Sequence, residues 1–415
     1  MKRVLLLALA VSAAATESAT GQTLAIVGGT IYPVRGPKIE NGTIIVQDGR
    51  IIAVGSGLAV PAGATRIDAS GRWVTPGFTH ASSILGLSEV GSIPATNESN
   101  KDGDVDAAFN VLEGLNPAVV SIPVARREGV TSAVTRPTGG LIAGQAVFIN
   151  LVGNRVEDLV AKSPVAMVID LSEASKSAGG GSRAGVVQRL RRIFQDALEY
   201  EQRRADFRRR QMQDLSAPEA DLAALLPVLK GVLPVYAIAN RKSDIENALR
   251  LAAEFKLKLV ILGGTEAWKV ASALAAAKVP VAVFPLTNIP VFDGLGARSD
   301  NATLLTGAGV PVIIVEGESG GPRDLRFAAG HSVRNGLAWE DALRGVTLVP
   351  ATAFGVADRY GSLEVGKVAD IVVWSGDPFE FSSRAEHVII EGVEVPRTSR
   401  MTELLERYRN LPPSY

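Results

Sequence analysis

The chain offers few residues capable of metal or nucleophilic chemistry. It has three histidines, His80, His331 and His387, and no cysteine. There is therefore no disulfide, no thiolate metal site and no cysteine nucleophile. One imidazole has a reactive neighbour, in Thr79-His80-Ala81-Ser82. A serine hydroxyl beside an imidazole is the raw material of a nucleophile–base pair. On a strand, residues two apart point to one face. Their Cα atoms lie about 6–7 Å apart, so a hydrogen bond between them is not assured. The competing reading of His80 is a hydrogen-bonded strand-end residue. His331 and His387 read as structural.

The elements that would position these residues are of two kinds. Residues 24 to 73 read as β structure. Thr43-Ile44-Ile45-Val46 and Ile51-Ile52-Ala53-Val54 flank Asp48-Gly49, a hairpin signal because both turn positions need positive φ. The C-terminus carries the same pattern. Ala369 to Trp374 reads as a strand, and Val388-Ile389-Ile390 and Val393-Glu394-Val395 flank Glu391-Gly392. Two β segments at opposite ends of a chain are expected to share one sheet domain. Between them, the apolar runs Val165–Leu171, Leu233–Ile238, Leu257–Leu262, Val279–Phe284 and Val310–Val315 have the length of buried parallel strands. Helical patterns separate them; Ser243-Asp244-Ile245-Glu246 reads as a capping box. Repeated strand–helix units imply a parallel sheet, and their number favours a closed barrel.

Composition narrows the function. Hydrophobic residues make up 47% and charged residues 21% of 415, which excludes a disordered or fibrous chain. Lys+Arg and Asp+Glu number 43 each, so the charge balance points to no nucleic-acid partner. Lys2 and Arg3 precede the apolar run from Val4 to Ala15, the pattern of a secretory signal and too short to span a bilayer. The sequence predicts a signal peptide over 1–21, export to the periplasm and no membrane span.

From Trp73-Val74-Thr75-Pro76-Gly77-Phe78 onward the chain resembles the amidohydrolase superfamily, in the branch near imidazolonepropionases. The segments carrying the likeness are Ile26 to Ile31, Asp48 to Gly55, Gly263-Gly264-Thr265-Glu266-Ala267, Asn335-Gly336-Leu337 and Gly361 to Trp374. The resemblance implies an α/β architecture: a (β/α)₈ TIM-like barrel over 76–357, with a small β-sandwich built from both chain ends, 22–75 plus 358–415. It also implies hydrolysis of C–N bonds, using zinc or another divalent metal to activate water.

The resemblance assigns the metal ligands to particular positions, and each has lost its usual residue. The two histidines of the first barrel strand fall on Ser82 and Ile84. The fourth-strand lysine position is Val168. The fifth-strand histidine is Asn240, the sixth-strand histidine Gly263, and the eighth-strand aspartate falls near Gly317, between Glu316 and Glu318. Valine, isoleucine and glycine side chains cannot ligate, and neutral Ser and Asn do not hold a transition metal unaided. No metal cofactor is expected.

Three readings follow. The first is a metal-free pseudo-hydrolase, oligomeric, pairing with an active relative in a hetero-oligomer. The second is a hydrolase with a relocated or metal-independent site drawn from His80, Ser82, Asn240, Glu316 and Glu318. The third is a binding protein using the barrel mouth, with Arg136 and Arg241 meeting a carboxylate bidentately.

Overall fold

The computed structural model describes residues 23–409, apart from 92, 100–102, 210, 212 and 318–321. The predicted leader, 1–21, lies outside the described residues. The first strands are β1 (Thr23–Ile31), β2 (Ile39–Gln47), β3 (Arg50–Ser56), β4 (Thr65–Asp68) and β5 (Trp73–Pro76). Eight strands follow: β6 (Phe78–Ser83), β7 (Val130–Thr135), β8 (Ile142–Asn150), β9 (Val160–Asp170), β10 (Val235–Ala239), β11 (Leu259–Gly263), β12 (Val281–Val283) and β13 (Val312–Ile314). The chain ends with β14 (Ile371–Trp374), β15 (Ala385–Ile390), β16 (Val393–Glu394) and a helix, Arg400–Arg409.

The two chain ends share one eight-stranded sheet, in the order β16-β15-β14-β5-β1-β2-β3 with β4 beside β1. The join is β14 against β5, with Val373 opposite Val74 and Trp374 opposite Trp73. Both expected hairpins form. Asp48 and Gly49 have φ of 51° and 73°, and Glu391 and Gly392 have 51° and 77°. The two turns pack on each other: a Cβ on Gly49 would lie 2.8 Å from the Glu391 carbonyl oxygen. No side chain fits there, so glycine is required by contact as well as by conformation.

The second sheet runs β13-β12-β11-β10-β9-β8-β7-β6. Side chains from all eight strands, including Ala81, Val134, Phe148, Val168, Tyr236, Leu262, Ala282 and Ile313, meet in one apolar cluster. The sheet therefore curls into a nearly closed barrel. The strict (β/α)₈ repeat is interrupted, because β8 runs antiparallel to both β7 and β9. The chain turns straight back after Thr135 and needs no helical crossover there, since antiparallel neighbours can be joined by a short loop.

The predicted capping box also fails. The helix is Lys242–Phe255, with Arg241 as its N-cap and Ser243 already inside it. The cap comes from far away: the Lys242 N–H donates to Glu266 Oε2 at 3.0 Å. That carboxylate takes the place a local serine would have filled. Among the described residues, no helix is long and apolar enough to cross a membrane.

Candidate functional site

The last inward residues of β6 form a buried polar cluster. His80 is 2% and Ser82 1% exposed. The β6–β7 register shifts between His80 and Ser83, so simple strand alternation does not carry through Ser82; both residues nevertheless line one cavity. The Ser82 backbone N–H donates to His80 Nδ1 at 3.3 Å. Ser82 Oγ accepts from Arg136 Nε at 2.8 Å, and Arg136 Nη1 donates to the Pro137 carbonyl at 3.1 Å. Burial lowers the His80 pKa to about 4, and the Arg136 charge adds to the effect. The imidazole is neutral near pH 7, and its Nδ1 accepts the Ser82 N–H.

The predicted Ser82–His80 nucleophile–base pair is therefore not formed. His80 meets the serine's backbone, and the hydroxyl faces a guanidinium that offers no lone pair to take its proton.

Tyr236 of β10 completes this cluster. It is fully buried, and its hydroxyl lies beside Ser82 without a hydrogen bond to it. Burial raises the phenol pKa above its ordinary value, and Arg136 opposes the rise. Sequence reasoning missed Tyr236. It stands four residues before Asn240, so the period of two on a strand could have placed both on one face.

On the next strands the mouth is laced by its own charges. Asn240 Nδ2 donates to Asp293 Oδ2 at 3.1 Å, and Thr265 Oγ1 donates to Asn240 Oδ1 at 3.2 Å. Arg183 pairs with Asp293 at 2.6 Å, Asp244 at 2.9 Å and Glu173 at 2.8 Å. Arg241 donates to the Phe292 carbonyl and lies 3.9 Å from Asp293. Arg136 and Arg241 are thus committed to different partners, and the predicted shared grip on a ligand carboxylate is not assembled. Asp170 ends β9 two residues beyond Val168. Burial raises its pKa, Asp293 adds to the rise and Arg136 opposes it. Neither Asp170 nor Asp293 figured in the sequence reading. Asp293 sits in a loop and had no periodicity to reveal it.

The other metal-ligand positions are closed or apolar. Gly263 has φ +98°, and a Cβ there would lie 2.3 Å from Asn240 Oδ1. Val168 is packed in the barrel core. Ile84 and Gly317 line a cavity of about 150 Å³ with His80, Ser82, Ser88 and Ser121. Glu316 is 3% exposed. Its Oε1 accepts the Gly317 N–H at 2.8 Å, while Oε2 has no hydrogen-bond partner among the described residues. Burial raises its pKa; the Gly317 N–H opposes that and Asp324 adds to it. Glu318 lies outside the described residues. Among the described residues, no three His, Cys, Asp or Glu side chains are grouped to hold a metal ion. The described residues do not fit the divalent metal that the resemblance implies, and a guanidinium already stands against Ser82.

A barrel closed by strand ends bearing polar groups, beside a sheet made from both chain ends, is the architecture of a family of hydrolases. The sequence profile of the Amidohydrolase family matches residues 296–395. The crystal structure of an amidohydrolase from Thermotoga maritima MSB8 is 30% identical, with a TM-score of 0.83, over 90% of this chain and 100% of that one. The amidohydrolase tasK of Hapsidospora irregularis is 24% identical over 386 residues, 85% of this chain. This chain spans 39% of the length of tasK. An imidazolonepropionase of Acidiphilium cryptum (strain JF-5) is 24% identical over 82% of this chain and 89% of its own length. The chain belongs to the amidohydrolase family.

Proposed function

We propose that this family member is a metal-free pseudo-hydrolase that works in an oligomer with a catalytically active relative. One observation carries the reading: buried Arg136 donates to Ser82 Oγ at 2.8 Å, at the first ligand position that the resemblance assigns. A fixed cation there repels a divalent ion. The blocked Cβ direction at Gly263 and the apolar Val168 support the same reading. Ile289, Val291, Phe292 and Leu295 are 52–85% exposed on the loop after β12, apolar surface that an oligomer of related chains would cover. The reading includes export to the periplasm after loss of 1–21. It also takes the two-ended sheet as the family's small β-sandwich, 22–75 plus 358–415, beside a barrel of 76–357.

The test is elemental analysis of the untagged mature protein, followed by native pull-down. Less than about 0.1 metal per chain, with a related hydrolase co-purifying, is the expected result. Stoichiometric divalent metal would remove the reading, since a bound ion restores the usual means of activating water.

A second reading rests on the unpartnered Glu316 Oε2. A buried carboxyl with a raised pKa can serve as a general acid or base, so a metal-independent hydrolase built around Glu316 and His80 is the alternative. A screen of N-acyl amino acids, dipeptides and lactams separates the two. Turnover that persists after exhaustive chelation and is lost in Glu316→Gln would favour the alternative.

A further inference from the structure

Asn240 follows β10 and Gly263 ends β11, both at the mouth; the residues that lead into β10, β11 and β12 mark the opposite end of the barrel. A cavity of about 450 Å³ opens there. Leu249, Ala252, Leu257 and Val279 give it apolar walls, Lys258 and Lys278 stand among them, and no acidic residue lines it among the described residues. The sequence dictates where the two lysines fall. β11 and β12 are parallel, with Ile261 opposite Val281. Three residues back from each stand Lys258 and Lys278, so the two cations enter on adjacent strands and line one cavity. Adjacent strands run about 4.8 Å apart, and like charges this close repel. Among the described residues neither lysine has an acidic partner. The carboxylate at that end of helix Lys242–Phe255, Glu254, is taken by Arg191 at 2.8 Å.

Lys278 also stands where glycine is usual. It is the left-handed residue after helix Ala271–Ala276, with φ 54°, and the Val279 N–H behind it donates to the Leu274 carbonyl at 3.0 Å. That helix ending favours glycine, because a side chain in it is strained. Lys256 ends helix Lys242–Phe255 in the same conformation, with φ 57°. A helix C-terminus carries about half a negative charge, which one cation more than offsets. The two helix ends therefore do not account for Lys258, which lies outside both helices and adds a third positive charge.

We propose that this groove binds a small apolar anion, an acyl chain ending in a carboxylate. The chain lies against Leu249, Leu257 and Val279, and the carboxylate sits between the Lys258 and Lys278 ammonium groups. Each ammonium donates to it, so charge-assisted hydrogen bonds take the place of mutual repulsion. The volume is that of a small-molecule site. The apolar walls are buried or half-buried, so the occupant must enter the recess, which a free acid can do and a bilayer surface cannot. The site is remote from the mouth and independent of the reading given to it.

The test is calorimetric titration of the untagged protein with decanoate at low salt. The expected result is saturable binding that weakens about two- to fourfold for each methylene removed in octanoate and hexanoate. Decanol and decyltrimethylammonium, with the same chain and no negative charge, bind about tenfold more weakly or not at all. Lys258→Gln and Lys278→Gln each weaken decanoate by about threefold or more. Ala253→Trp, which fills the groove from an exposed position, abolishes binding. The ligand-free Tm of the two lysine variants is unchanged or higher, since one of two like charges is gone. Equal binding of the alcohol or the cation would remove the preference for an anion. Unaltered binding in the three variants would put the acid elsewhere on the protein. Binding only to vesicles of anionic phospholipid would assign the face to a membrane, and groove variants that change the oligomeric state but not decanoate binding would assign it to a second copy. A clear fall in the ligand-free Tm would mean that the lysines serve the fold. Each of these outcomes overturns the proposal, as does the absence of binding.

Discussion

His80 makes the stability of this protein depend on pH in a direction that can be worked out in advance. Its pKa falls from 6.5 to about 4 in the fold, with burial as the main cause. A lowered pKa in the native state means that the unfolded chain takes up the proton first. The contribution is therefore complete above about pH 6.5 and is lost as pH falls toward 4. At 1.36 kcal/mol per pKa unit, the difference is worth about 3 kcal/mol at most. Asp370, pushed up to about 7 by burial, and Asp170, Asp244 and Glu316, whose pKa values are also raised, act in the opposite sense. The comparison must therefore be made against His80→Gln, which removes only the imidazole. Urea unfolding is followed at pH 7.5, 6.5, 5.5 and 4.5 for both proteins. Wild type loses about 2–3 kcal/mol more than the variant over that range. Proton NMR supplies the second readout, since a chain with three histidines gives a sparse imidazole spectrum. The His80 ring signal stays still between pH 7.5 and about 5 and moves below that. Equal pH slopes for the two proteins, or a His80 signal titrating near 6.5, would show that burial does not hold the imidazole neutral.

Three further predictions test the filled site. Arg136→Met leaves Ser82 Oγ without its donor in a buried setting, and urea unfolding should register a loss of about 1–3 kcal/mol. Gly263→Ala forces an L residue into φ +98° with its Cβ 2.3 Å from Asn240 Oδ1; the expected cost is about 1–3 kcal/mol, and an unchanged urea midpoint would contradict the geometry. The double variant Ser82→His, Ile84→His should gain no hydrolysis of N-acyl amino acids or dipeptides, because Val168, Asn240 and Gly263 still supply no ligand; robust turnover would mean that the ligand positions on the other strands are misassigned.

Much of the scaffold was legible because it is written in local pattern. Asp48-Gly49 sets both positive φ values of its turn, and the apolar runs around β9 to β13 have the length of buried strands. The direction of β8 was not legible. Ile142–Asn150 reads as a strand either way round, since a period of two carries no polarity. The cap of helix Lys242–Phe255 was misread for a related reason: Ser243 and Glu246 satisfy the local rule, while the acceptor that wins, Glu266, is 24 positions away. In the site, the residues standing at the expected ligand positions could be read one by one. Their partners could not, because the contacts are long-range. Arg136 and Ser82 are 54 positions apart, and Asn240 and Asp293 are 53 apart.

The residues at these positions answer one another. A site lined by unpartnered polar groups would cost about 1–3 kcal/mol for each unmet buried group. Asn240 fills the space a side chain at position 263 would need, and it is held by Thr265 and Asp293. Asp293 in turn joins Arg183, which also binds Asp244 and Glu173. Ser82 is held by Arg136. Such mutual satisfaction makes the network rigid as a unit and costly to break one member at a time. It also explains why restoring single histidines should fail: each would meet neighbours already committed to the present arrangement. Glu316 is the exception: one carboxyl oxygen has no partner among the described residues, and the next residue, Gly317, lines the cavity with His80 and Ser82. Any chemistry or ligand binding left in this barrel is therefore to be sought first at Glu316.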